Sequence, residues 1–198
     1  MMEQDNELSV NEAVLDYKRH YTYSDYMKWD DDQRWELIDG IAYLMSAPSV
    51  RHQEILLNLS LLFGSFLKGK SCKAYFAPFD VRLSADTTDD TVVQPDLVII
   101  CDKSIIMDTG CKGVPDMVIE ILSPSTSLRD KAVKFDLYLK KGVREYWIVD
   151  PDPKTELVHT HILDNGRYYA RCYTKDDVVP VHVIDGCEIA LAEVFTEE

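Results

Sequence analysis

Two carboxylates sit in stretches where a charge is costly. Glu120 lies in the middle of Met117-Val118-Ile119-Glu120-Ile121-Leu122, whose apolar residues fall on both alternating faces. That pattern marks a strand covered on both sides. A carboxylate buried there needs a partner, either a metal ion or the ion pair of a nearby Lys or Arg. Asp96 interrupts a second apolar run, Val92-Val93-Gln94-Pro95-Asp96-Leu97-Val98-Ile99-Ile100. If these two strands are antiparallel neighbours turning about a midpoint near residue 108, Asp96 falls opposite Glu120. Directly opposed side chains have Cβ atoms about 5 Å apart. Two carboxylates that close repel unless a proton or a cation lies between them, and oxygen donors of this kind suit Mg²⁺ or Mn²⁺. A base follows on a helical pattern: Asp130, Lys134 and Tyr138 recur at i, i+4, i+8 and share one face. Lys134 on that face could orient an attacking water and offset phosphate charge, or it could lie on a solvated helix face. Asp130 also reads as the acid of a capping box begun by Ser127.

The elements that must carry these groups are legible in outline. Residues 1–20 show no period and read as a loosely packed lead-in, with one domain over 21–198. A short helix is expected from Thr22 or Ser24, then a hairpin turned by Asp39-Gly40. Ser49 caps a helix to about Lys68, in which Ile55, Leu59, Leu62, Phe63 and Phe66 make one apolar stripe. Strands are expected at 73–76, 79–84, 92–100 and 116–122, a helix at about 127–141, and a buried strand at 145–149. A β-rich extension follows over 155–195, with turns at Asn165-Gly166 and Asp185-Gly186. The order implies an α/β (α+β) sandwich built on a mixed sheet flanked by helices, and no doubly wound βαβ fold.

Bulk properties narrow the class. A chain of 198 residues, 46% hydrophobic and 28% charged, can bury a core. The net charge of −14 is a poor match to a DNA-binding protein. The acid is uneven, however: 18–149 carries 17 bases against 19 acids, a net of −2. No apolar run has the roughly 20 residues of a membrane helix, and the first residues lack a secretory pattern, so the cytoplasm is expected. The 5 cysteines are scattered without a C-x-x-C pair, which argues for reduced thiols and against a zinc site or a disulfide framework. Gly-rich phosphate loops, G-x-S-x-G and H-E-x-x-H are all missing.

The sequence resembles the Uma2 family, within the PD-(D/E)XK nuclease superfamily. The resemblance covers about residues 20–195 and rests on WELIDGIAYLMSAPSVRHQ, QPDLVII, VIEILSPSTSLRDKAVKFDLY and GVREYWIVDP. It implies a restriction-endonuclease-like αβββαβ core, Mg²⁺- or Mn²⁺-dependent hydrolysis of DNA phosphodiesters, and a homodimer. Asp96 matches the Asp of the PD element and Glu120 the acid of the (D/E)XK element. Leu122 stands where that motif has lysine, and Lys134 offers a replacement from the helix. Glu36 matches an acid near the first hairpin that supplements the metal or water contacts, or it is a salt-bridged strand residue. His52 matches a histidine at the start of the long helix. Asp80 is a further metal-ligand candidate, with Arg82 its alternative ion-pair partner. Arg51, Arg129, Lys131 and Tyr138 are candidate substrate contacts, with Lys68, Lys70 and Lys140-Lys141 as further cations. Trp147 reads as core. The competing readings are an inactive interaction module on the same fold and a hydrolase of another phosphate ester such as RNA.

Overall fold

The longest apolar stripe makes the longest helix. In the computed structural model, which describes residues 19–30, 32–83, 89–123 and 130–196, α2 spans Val50–Leu67. Ser49 caps it by accepting a hydrogen bond from the His52 amide at 3.2 Å. Ile55, Leu59, Phe63 and Leu67, one per turn, are buried. The shorter α1, Tyr23–Tyr26, begins at Thr22 rather than Ser24, with Asp25 closing a capping box.

α2 packs on one face of a six-stranded sheet. In spatial order that sheet contains β12 (Arg167–Thr174), β11 (Leu157–Asp164), β10 (Glu145–Asp150), β9 (Met117–Ile121), β6 (Leu97–Ile100) and β3 (Lys73–Phe76). β9 and β10 are parallel and the other pairs antiparallel, so the sheet is mixed. Alternation along β6 and β9 sends Leu97, Ile99, Met117 and Ile119 into the core beneath α2. Val98, Ile100 and Val118 enter a second core on the opposite face, with Leu137 and Tyr138 of α3 (Phe135–Lys141). Two covered faces explain why these strands read as unbroken apolar runs. A hairpin of β13 (Val178–Pro180) and β14 (Glu188–Ala190) adds Val179 and Ile189 to the α2 side.

A second six-stranded sheet holds β2 (Ile41–Leu44), β1 (Trp35–Ile38), β5 (Val92–Val93), β4 (Asp80–Arg82), β8 (Gly110–Lys112) and β7 (Ile106–Met107). Its inward residues Ile38, Val81 and Val93 join the second core. Asp39 and Gly40, both at positive φ (48° and 76°), turn the β1–β2 hairpin as their types suggest.

Three expectations need correction. The run 92–100 is two strands, β5 and β6, in different sheets. Pro95 has no N–H to extend a ladder, and the chain crosses between sheets over Gln94–Asp96. The second helix is interrupted: Asp130–Lys134 forms a π-helical turn that leads into α3, while 124–129 lie outside the described residues. Cys72 and Cys101 form a disulfide, against the reading of free thiols. Cys72 immediately precedes β3 and Cys101 immediately follows β6 in this antiparallel pair, where Lys73 faces Ile100, a proximity that a sequence separation of 29 conceals. Among the described residues no helix is long and apolar enough to cross a membrane.

Candidate active site

β6 and β9 pair Leu97 with Ile119, Val98 with Val118 and Ile99 with Met117, the register about residue 108. One step further lie Asp96 and Glu120. The ladder stops there because the Asp96 side chain takes over: its Oδ2 accepts from the Ile121 amide at 2.7 Å. The same Oδ2 accepts from His52 Nε2 at 3.1 Å, since the capped first turn of α2 sets the imidazole over it. Among the described residues, no hydrogen bond engages Asp96 Oδ1. His52 is buried, and its Nδ1 has no hydrogen-bond partner among them.

Glu120 turns to the opposite face of its sheet, toward α3. Its Oε1 accepts from Lys134 Nζ at 2.8 Å and from the Tyr138 hydroxyl at 2.7 Å. Lys134 also lies 2.8 Å from Glu36 Oε1, and the Gln94 amide donates to that same oxygen at 3.0 Å. Glu36, Glu120 and Lys134 are 0%, 3% and 2% exposed, so this is a buried carboxylate–ammonium–carboxylate row. Such a row survives burial because each charge faces an opposite one at hydrogen-bond distance. Burial, followed by the neighbouring Glu120 charge, raises the Tyr138 pKa well above the ordinary phenol value, so it stays a donor. The π-helical turn and α3 place Lys134 and Tyr138 one above the other, as their i, i+4 spacing predicts.

Asp96, Glu120, Lys134 and His52 line one cleft of about 60 Å³ with Arg34, Ser46, Ala77 and Ser123. That space takes a few waters or an ion with part of its water shell. Glu36, Glu120 and Asp96 set against Lys134 and Arg34 leave one net negative charge around it. Hard carboxylate oxygens with room for water suit Mg²⁺ or Mn²⁺. Among the described residues no three His, Cys, Asp or Glu side chains gather to hold an ion by themselves. A cation here would take Asp96 and Glu120 and otherwise water.

Other candidates lie elsewhere. Asp80 accepts from Tyr26 at 3.1 Å and from Gln94 Nε2 at 2.9 Å, outside the lining of the cleft, and burial raises its pKa. Arg82 pairs with Asp89, not Asp80. Arg51 is held by Glu156 at 2.5 Å and by the Thr196 carbonyl at 2.8 Å. Tyr138 is wholly buried under Glu120, not on a substrate-facing surface. Lys70 lies over the Phe66 ring, and Lys140 and Lys141 line a separate groove with Asp39. Arg129 and the side chains of Asp130 and Lys131 lie outside the described residues. Trp147 is core, packed on Phe63.

Sequence reasoning passed over Gln94 and Arg34. Gln94 touches four neighbours: its amide holds Glu36, its Oε1 accepts from Arg34 Nε and Nη2 at 3.0 and 2.8 Å, and its Nε2 reaches Asp80 and Tyr26. The available signal was a second polar side chain, two residues before Asp96, inside the apolar run from Val92 to Ile100.

Comparison with known proteins agrees with this architecture. A crystal structure described as a putative nuclease belonging to DUF820, from Anabaena variabilis, superimposes with a TM-score of 0.71 at 20% identity, covering 88% of this chain and 97% of that one. At that identity the likeness concerns the fold. An uncharacterized protein from Synechocystis sp. is 29% identical over 155 residues, 77% of this chain and 80% of that protein. The family model described as "Uma2: Putative restriction endonuclease" matches residues 23–192. On that match, spanning both sheets and every residue of the cleft, the chain belongs to the Uma2 family.

Proposed function

We propose that this protein is a divalent-metal-dependent endonuclease that hydrolyses DNA phosphodiester bonds, with Asp96 and Glu120 as metal ligands. The observation that carries the reading is the buried row of Glu36, Lys134 and Glu120 opening onto the cleft shared with Asp96. The chemistry a bound Mg²⁺ or Mn²⁺ would supply is polarisation of a phosphate oxygen and acidification of a coordinated water. The chain's own groups do the rest. Lys134 and Tyr138 fix the Glu120 carboxylate from below, so its orientation survives substrate entry. Lys134 also presents positive charge to the cleft, where charge builds on a phosphate oxygen during hydrolysis. His52 and the Ile121 amide hold Asp96 by one oxygen and leave the other for a ligand. The lysine expected two residues after Glu120 is thus supplied from the helix. Cutting both strands of a duplex takes two such clefts, and a homodimer is part of this proposal.

A second reading has its own support. Lys134 is committed to two carboxylates, and the net charge of −14 opposes polyanion binding, as in a non-catalytic interaction module. Plasmid nicking separates the two. The parent is expected to nick with Mg²⁺ or Mn²⁺ and to lose activity by about 100-fold or more in Asp96→Asn and in Glu120→Gln, a typical loss for a group acting on the reacting centre. A parent that never nicks above background, or variants that nick as well as it does, overturns the nuclease reading.

A further inference from the structure

One basic side chain of the cleft makes no ion pair with a carboxylate among the described residues. Among the described residues its lining contains two basic side chains, Lys134 and Arg34. Lys134 is flanked by Glu36 and Glu120. Arg34 is held instead by a neutral amide: its Nε and Nη2 donate to the Oε1 of Gln94. No carboxylate ion-pairs with it among the described residues. Its guanidinium is half-buried and fixed by this two-point contact, so little conformational freedom remains to be lost on binding an anion. A guanidinium carries five N–H donors. Two are used by Gln94, and the remaining three include one on Nη2 and one on Nη1 that run parallel, the fork that matches two phosphate oxygens.

We propose that Arg34, oriented by Gln94, is the phosphate-binding residue of this cleft and grips the phosphodiester beside the Asp96 and Glu120 carboxylates. The assignment rests on the phosphodiesterase reading above for its ligand class, and on the hydrogen bonds of Arg34 for its geometry. It also accounts for Gln94 being an amide. A glutamate there would neutralise the guanidinium and stand against Asp80, which already accepts from the Gln94 side chain. Of the other cations the sequence suggested, Arg51 is tied to Glu156 and Thr196, and Lys70, Lys140 and Lys141 lie on other surfaces.

The test is equilibrium binding of a fluorescein-labelled DNA duplex to the full chain with Ca²⁺ in place of Mg²⁺, across a series of KCl concentrations. Inorganic phosphate, read by calorimetry, is the second probe. Arg34→Ala is expected to weaken duplex binding by about tenfold or more, the scale of a charged hydrogen bond lost. The slope of log K against log salt should fall by about one. Arg34→Lys should keep the slope but recover only part of the affinity, and Arg34→Gln serves if the alanine variant folds poorly by circular dichroism. Unchanged affinity and slope in a folded Arg34 variant overturns the assignment, even where the parent nicks plasmid. Arg34-dependent phosphate binding by a parent that does not nick keeps the assignment and sinks the nuclease reading. A parent that binds neither probe sinks the assignment.

Discussion

Lys134 is where the local energetics and the chemistry meet. Two buried carboxylates depend on it, so its removal leaves charge without compensation. Lys134→Met is expected to destabilise the protein by about 3–5 kcal/mol, the usual cost of breaking a buried pair by deleting one partner. Urea unfolding checks this, and adding Glu36→Gln should restore part of the loss. A variant as stable as the parent would mean the row is not charged as described. Asp80 gives the pH prediction. Burial raises its folded-state pKa above the unfolded value, so the folded protein holds its proton more tightly. Its contribution to stability is therefore full below the unfolded pKa and is lost as pH rises through the folded one. Asp80→Asn, which can still accept from Tyr26 and Gln94, should match or exceed the parent in stability at pH 7. That advantage should shrink or reverse as pH falls through the acid range. A parent more stable than the variant at pH 7, with a gap indifferent to pH, would contradict the sign.

At the scale of elements, the site depends on how strands begin and end. β5 stops at Val93 and β6 starts at Leu97, and the three residues between carry Gln94 and Asp96 from one sheet to the other. Gly110 shows how tightly the second sheet is drawn. It pairs in parallel with Asp80 at φ 145°, and a Cβ there would lie 2.2 Å from the Asp80 carbonyl oxygen. Gly110→Ala is expected to cost about 2–4 kcal/mol, combining a forbidden backbone region with a backbone clash. Thermal melts would register this, and an unshifted Tm would show that β4 and β8 can separate freely. Much at this scale was legible in the residues: Ser49 as a cap, Asp39-Gly40 as a turn, and α2 from its stripe. The 92–100 break and the π-helical turn were not. Val92-Val93 and Leu97–Ile100 share one composition, and no residue type separates a π turn from the helix it precedes.

For the whole molecule, the cleft lies where the two sheets meet, and both acids and the lysine reach it from different elements. A cation that binds only the folded cleft stabilises it by mass action. Millimolar Mg²⁺ or Mn²⁺ should raise the Tm of the parent, EDTA should reverse the rise, and Asp96→Asn should abolish most of it. An equal rise in that variant would assign the effect to diffuse screening of the −14 charge. What the residues determined by themselves was the pair of acids and its register. A carboxylate inside a two-faced apolar strand has few permitted partners, and antiparallel neighbours fix which residues oppose. Only the tertiary structure decided who holds them. Lys134 and Tyr138 reach Glu120, His52 reaches Asp96, Asp80 is drawn away to Tyr26, and Arg34 of the cleft lining is held by the Gln94 amide from the link between β5 and β6. These contacts depend on which faces two sheets and a helix present to one another, and that packing is not written in any single segment's pattern.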